Sequence, residues 1–143
     1  MKRNGFSMVL VDRLNEALGW ELRAVNMYAH YAANIRGIHR LQLAPMFTTE
    51  MTESIEHADI VRRAIVKLGG VPVTERNPHE IVHTTEFNEM LSRSFETESK
   101  AAEVYGSIME IIEEAGDQEM YDAIEQIYLA ELRSLEQLKM LLD

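Results

Sequence analysis

Apolar residues recur in helical stripes along almost the whole chain. From about Met8 to Ile35 they fall at Val9, Leu10, Leu14, Ala17, Leu18, Val25 and Tyr28, a period near 3.6 that lines one helix face. Arg36-Gly37 closes this stretch, since glycine readily adopts the left-handed residue that ends a helix. A second helix is predicted to begin near Pro45, a residue favoured in the first turn. It runs through Ile55, Ala58, Val61, Ile65 and Leu68 to a Gly69-Gly70 stop. The third starts at Thr84 or Thr85, good N-caps with Glu86 following, and ends near Ala115-Gly116. Asp117 caps a fourth, which continues to the end of the chain through Ile124, Ile127, Leu132, Leu135 and Leu138.

Helices of about 25 to 30 residues are ~40 Å long. The first and third connections are short and force antiparallel neighbours. The middle one, residues 70–83, contains Pro72 and Pro78 and has no helical period. Extended, it reaches ~45 Å, enough to climb the full height of a bundle. The expectation is an all-α up-down-down-up four-helix bundle with one long crossover between helices 2 and 3. The 143 residues fit one such domain, 1–143, and leave no room for a fifth helix. One long crossover is the ferritin-like arrangement, although a plain bundle with a loose loop has the same pattern.

Composition narrows the function classes. The 14 Lys and Arg against 24 Asp and Glu give a net charge of −10, which repels phosphate backbones and argues against nucleic-acid partners. With no cysteine, thiolate metal sites, disulfides and cysteine nucleophiles are excluded. The basic start, Met1-Lys2-Arg3-Asn4-Gly5, is followed by too short an apolar run for a targeting segment, and nothing approaches the ~20 apolar residues of a membrane span. A cytoplasmic protein with no membrane partner is expected.

Each helix places an ionisable residue on its apolar stripe. Glu21 lies between Leu18 and Val25, Glu98 between Phe95 and Ala102, and Glu131 between Tyr128 and Leu135. His57 shares a face with Ser54 and Glu53. A lone buried carboxylate costs several kcal/mol unless paired or ligated, so such residues need a partner. An internal echo adds weight: Glu21 precedes Tyr28 by seven residues, and Glu98 precedes Tyr105 by seven. Each tyrosine therefore lies on its glutamate's face, two turns along.

The segment 14–28, LNEALGWELRAVNMY, closely resembles the first helix of bacterioferritins. Glu56-His57-Ala58-Asp59 is similar to the second-helix signature of that family, and Leu68-Gly69-Gly70-Val71-Pro72 to its helix end. The run 130–138, AELRSLEQL, resembles the fourth-helix motif of ferritin-like diiron carboxylate proteins. The resemblance implies two irons in the bundle core, held by a Glu from each of two helices and a Glu-x-x-His from each of the others. Matched residue by residue, it implies metal ligands at Glu21, His57, Glu98 and Glu131. Ser54 stands where the second-helix glutamate is expected and Ser134 where the fourth-helix histidine is expected. Glu21, His57 and Glu131 remain for one metal, a set suited to Fe(II), Mn(II) or Zn(II). Only Glu98 and Glu131 remain for the other.

Glu53, Ser54, Ser134, Tyr28 and Tyr105 are candidate auxiliary residues: Glu53 as a substitute bridge, the serines and tyrosines as hydrogen-bond partners, the tyrosines also as electron donors. No catalytic residue beyond the ligands is implied. Ile55 occupies the position of the family's haem-ligating methionine, so haem is not expected. The resemblance implies iron binding, one or two ions per chain, ferroxidase chemistry with O₂ or peroxide, iron storage and a homo-oligomer. The chain ends where bacterioferritins continue into a further short helix, which weakens the expectation of a cage. A non-catalytic scaffold with a vestigial diiron site is the alternative, and a single-metal enzyme a third reading.

Overall fold

The fold was obtained as a computed structural model, which describes residues 5–143 apart from the Phe6 side chain; the basic residues 1–4 lie outside it. Helix α1 spans Gly5–Asn34, α2 Arg40–Lys67, α3 Phe87–Met109, α4 Ile112–Ala115 and α5 Gln118–Leu142. The four long helices form a bundle in which α1 packs against α2 and α3, and α5 against α3 and α2. Cross-helix pairs fix the directions. Ascending α1 from Glu21 to Tyr28 meets α3 descending from Tyr105 to Glu98 and α2 descending from His57 to Phe47. On α5, Glu131 faces His57 and Ser134 faces Glu50. The order is therefore up-down-down-up.

The expectation of no fifth helix is wrong. The described residues form five helices, because the third long helix does not run unbroken to Gly116. It stops at Met109, and α4 is a single separate turn before α5. The break falls at Glu110-Ile111, where two β-branched residues of reduced helix propensity, Ile111 and Ile112, follow one another. Ile111 leaves helical geometry at φ −120° and ψ −12°, and its N–H bonds Ile108 O three residues back. Ile112 is thereby buried while Glu110, Glu113 and Glu114 stay exposed.

Helix α2 also starts earlier than Pro45 predicts. Arg40 opens it and Pro45 sits inside the helix. The side chain of Arg40 donates to Ala32 O, Ala33 O and Ile35 O, three carbonyls at the end of α1, and so holds the turn in which Gly37 adopts φ 85°. Asp117 caps α5 as its sequence predicts, accepting from Met120 N–H at 2.8 Å. It also pairs with Lys67 at the end of α2.

The crossover is a strap laid along α1. Asn15 donates to Val71 O and accepts from Val73 N–H. Asn77 N–H reaches Gly19 O at 2.9 Å; a Cβ on Gly19 would lie 3.4 Å from that nitrogen. Arg23 donates to His79 O, to Glu80 O and to Thr97 Oγ1, and Tyr31 OH to Val82 O. Residues 15, 19, 23 and 31 recur at multiples of four and form one stripe of α1.

The core divides into two apolar blocks. One holds Leu10, Leu14, Leu18, Val61, Ile65, Tyr105, Ile108 and Ile124. The other holds Met27, Tyr28, Tyr31, Ile35, Phe47, Met90 and Leu138. Between them, at mid-height on every long helix, the buried residues are polar: Glu21, Ser54, Ser94, Thr97, Glu98 and Glu131.

Candidate metal centre

The polar layer is built from one segment of each long helix. Glu21 (α1), Glu98 (α3) and Glu131 (α5) are 2%, 4% and 3% exposed, and His57 (α2) is half-buried. His57 Nδ1 lies 3.1 Å from Glu21 Oε2 and 3.5 Å from Glu131 Oε1. One donor atom from each of Glu21, His57 and Glu131 falls within 4.8 Å of the others, close enough for one cation to replace the proton that now lies between imidazole and carboxylate.

The two tyrosines close the layer from opposite blocks. Tyr28 OH donates to Glu98 Oε1 at 2.7 Å, and Tyr105 OH donates to Glu21 Oε2 at 2.9 Å. Each tyrosine thus serves the glutamate of the other helix, because α1 and α3 are antiparallel and the seven-residue spacing is the same on both. Burial and the adjacent carboxylates, Glu98 and Glu21 respectively, push both phenols well above their ordinary range.

Packing three carboxyls into one dry layer has a large electrostatic cost. Burial, then the charge of Glu131, hold Glu98 well above the usual carboxylate range. Glu131 is raised to about 8, by burial and then by the charge of Glu21. Burial raises Glu21 too, against the opposing hydrogen bond with His57. For His57, burial alone would lower the imidazole, but its hydrogen bond to Glu21 and the surrounding negative charge raise it. The metal-free layer therefore holds protons where a divalent cation would otherwise supply positive charge. Glu131 Oε2 is still buried with no hydrogen-bond donor.

The auxiliary candidates divide. Ser54 is buried in the layer. Ser134 is half-buried and meets Glu50 rather than the three-donor group. Glu53 is half-buried, and its charge acts on Glu21, His57 and Glu131, but it is not among the three converging donors. Arg133, on the same turn as Glu131, is exposed. Sequence reasoning missed Glu50, whose Oε2 lies 3.5 Å from Ser134 Oγ. Burial, followed by the charge of Glu98, raises its carboxyl to about 7. The signal was present: Glu50, Ser54 and His57 follow at i, i+4 and i+7 on one face.

The Ferritin-like domain family matches residues 11–143. The chain belongs to this family. Among solved structures, this ferritin-like domain is similar to a ferritin-like diiron-carboxylate protein of Bacillus anthracis, 28% identical over 98% of this chain and 99% of that one, with a TM-score of 0.92. It is also similar to a bacterioferritin-related dodecameric thioferritin of Bacteroides fragilis (23% identity, 93% and 83% covered, TM-score 0.84). A third is the bacterioferritin of Desulfovibrio desulfuricans, described with a diiron site (20%, 99% and 82%, TM-score 0.87). The last two likenesses establish the fold. A comparison with curated proteins gives no match. Among the described residues, no helix is long and apolar enough to cross a membrane.

Proposed function

We propose that this ferritin-like domain binds Fe(II) in its mid-bundle layer and promotes its oxidation by O₂ or peroxide. The observation that carries the reading is the convergence of Glu21, His57 and Glu131 within 4.8 Å. One imidazole and two carboxylates are donors suited to Fe(II) and to the harder Fe(III) it becomes. Iron is here the substrate. Two Fe(II) give up one electron each, and one O₂ takes both together with two protons to leave as hydrogen peroxide. The protein's part is to bind, to keep the site dry and to move protons. Loading Fe(II) displaces the proton between His57 Nδ1 and Glu21, and those held on Glu98 and Glu131. Tyr105 donates to Glu21 Oε2, the oxygen that also faces His57, and Tyr28 to Glu98 Oε1, which fixes carboxylate orientation.

A vestigial, non-catalytic layer is the second reading. It is favoured by the hydrogen bonds that Glu21 and Glu98 already make with tyrosine and histidine. The unpartnered Glu131 Oε2 speaks for a site that something else completes.

Anaerobic titration with Fe(II), a count of tightly bound iron per chain, and then admission of O₂ separate the two. Tight binding followed by rapid oxidation supports the ferroxidase reading. Binding no greater than that of a Glu21→Ala, His57→Ala double variant refutes it. We also propose that the chain self-associates, as the dodecameric relative does; its mass in solution tests this, and a monomer would overturn it.

A further inference from the structure

Transfer of two electrons to O₂ asks for two irons, yet the second position retains only Glu98 and Glu131 from the family's ligand set. Serine hydroxyls bind such ions poorly, so Ser54 and Ser134 do not restore it. What lies in front of Ser134 is the carboxyl of Glu50. It comes from α2, one turn before Ser54, and its Oε2 is 3.5 Å from Ser134 Oγ. A serine is short. Where a histidine ring at position 134 would project inward, the space is open to a side chain from the facing helix.

Glu50 belongs to the Glu98 side of the layer. Of the neighbouring charges, that of Glu98 acts on it most strongly, and its own charge reaches Tyr28, the partner of Glu98. Glu53 acts on both sides, on Glu21, His57 and Glu131 and on Glu50 itself. Independently, Glu131 turns Oε1 toward His57 and leaves Oε2 buried without a donor. A carboxylate with one oxygen engaged and the other vacant is disposed to bridge.

We propose that Glu50 is the third protein ligand of a second metal position, with Glu98 and Glu131, and replaces the histidine donor lost at Ser134. This rests on the iron-binding reading above. The position is made of oxygen donors alone and is looser than the first, because only Glu21, His57 and Glu131 already converge among the described residues. It closes when a cation neutralises the three carboxyls. Hard divalent ions suit it, Fe(II) and Mn(II) above softer ones.

Equilibrium dialysis with Mn(II), read by metal analysis and by the magnetic coupling of adjacent Mn(II) ions in electron paramagnetic resonance, tests this without any turnover. The parent is expected to bind two Mn(II) per chain. Glu50→Gln keeps the shape and the contact with Ser134, and is expected to retain one Mn(II) while the second binds about tenfold more weakly or worse. The double variant Glu50→Gln, Ser134→His is expected to regain the second ion. Unchanged melting temperatures of the metal-free proteins exclude a folding defect. A Glu50→Gln variant that still binds two ions with parental affinity overturns the assignment. So does a parent that binds one, although the first position then stands. A parent that binds neither Mn(II) nor Fe(II) overturns the iron-binding reading itself.

Discussion

Replacing Glu131 by glutamine separates what the buried carboxyls do for a metal from what they cost the fold. Glu131 is 3% exposed, and its pKa is raised from 4.5 to about 8, chiefly by burial. The folded state keeps a proton that the unfolded chain gives up. Stability from this group is fully present below pH 4.5 and is lost as pH rises through about 8. Each pH unit inside that window is worth at most about 1.4 kcal/mol. Because Glu131 shares its protonation with Glu21 and Glu98, the expected total is smaller, about 2 to 3 kcal/mol. Glutamine has the same shape and no charge to bury. The metal-free variant should therefore melt about 6 to 9 °C above the parent at pH 8, using about 3 °C per kcal/mol for a chain of this size. The difference should shrink to nothing near pH 4.5.

Metal should close the gap. Mn(II) at a hundred times its Kd stabilises the parent by about 2.7 kcal/mol, or about 8 °C. The variant lacks the charged oxygens and should not respond. The assay is thermal unfolding by far-ultraviolet circular dichroism from pH 4.5 to 8, after chelator treatment and again with Mn(II). A variant less stable than the parent at pH 8, or a gain that does not change with pH, would show that Glu131 is not a buried, proton-holding carboxyl.

Loading a divalent ion at pH 7 should release at least one proton per chain, since Glu131, raised to about 8, is largely protonated there; titration calorimetry in two buffers of different ionisation enthalpy measures this, and zero release would contradict the assignment. Arg23→Lys removes the planar fork that holds His79 O, Glu80 O and Thr97 Oγ1. It should lower denaturant stability by about 2 to 3 kcal/mol and speed amide exchange in residues 71–83. Gly70→Ala places a Cβ 2.6 Å from Val11 Cγ1. This overpacking should cost about 1 to 3 kcal/mol, and Val11→Ala in the same chain should recover part of it; an additive double variant would refute the contact.

The helices were legible because their stripes are long and their stops are strong: Gly37 and Gly69 adopt positive φ, and Asp117 caps as read. Proline at 45 misled, because an early-turn proline can sit inside a helix whose first turn is held from outside, here by Arg40. The run to Gly116 misled because the apolar period continues through Ile112 although the backbone does not. Glu21, His57, Glu98 and Glu131 come together in one layer, and sequence spacing had put each on a buried face. What spacing within one helix could not supply was partnership between helices. Tyr28 serves Glu98 and Tyr105 serves Glu21; Arg23 is consumed by the crossover; Glu50 turns inward opposite Ser134. Each of these depends on helix direction and register, which period alone leaves open.

The two serine replacements are complementary. On α2 the Glu-x-x-His unit has lost its carboxylate and kept its imidazole, as Ser54 and His57; on α5 it has lost its imidazole and kept its carboxylate, as Glu131 and Ser134. On the proposed assignment both survivors serve the same metal, so the losses concentrate on one position. Adding Glu50 leaves one position with an imidazole and two carboxylates and the other with carboxylates alone. Imidazole holds first-row divalent ions more firmly than an equal number of shared carboxylates, and the three converging donors need little rearrangement. The first ion should therefore fill the His57 position. Its charge then lowers the proton affinity of Glu98 and Glu131, which frees Glu131 Oε2 and Glu98 for the second. Loading becomes ordered, with the second step weaker and more dependent on pH than the first. A single-step isotherm, or a His57→Ala variant that still binds the first ion with parental affinity, would refute that order.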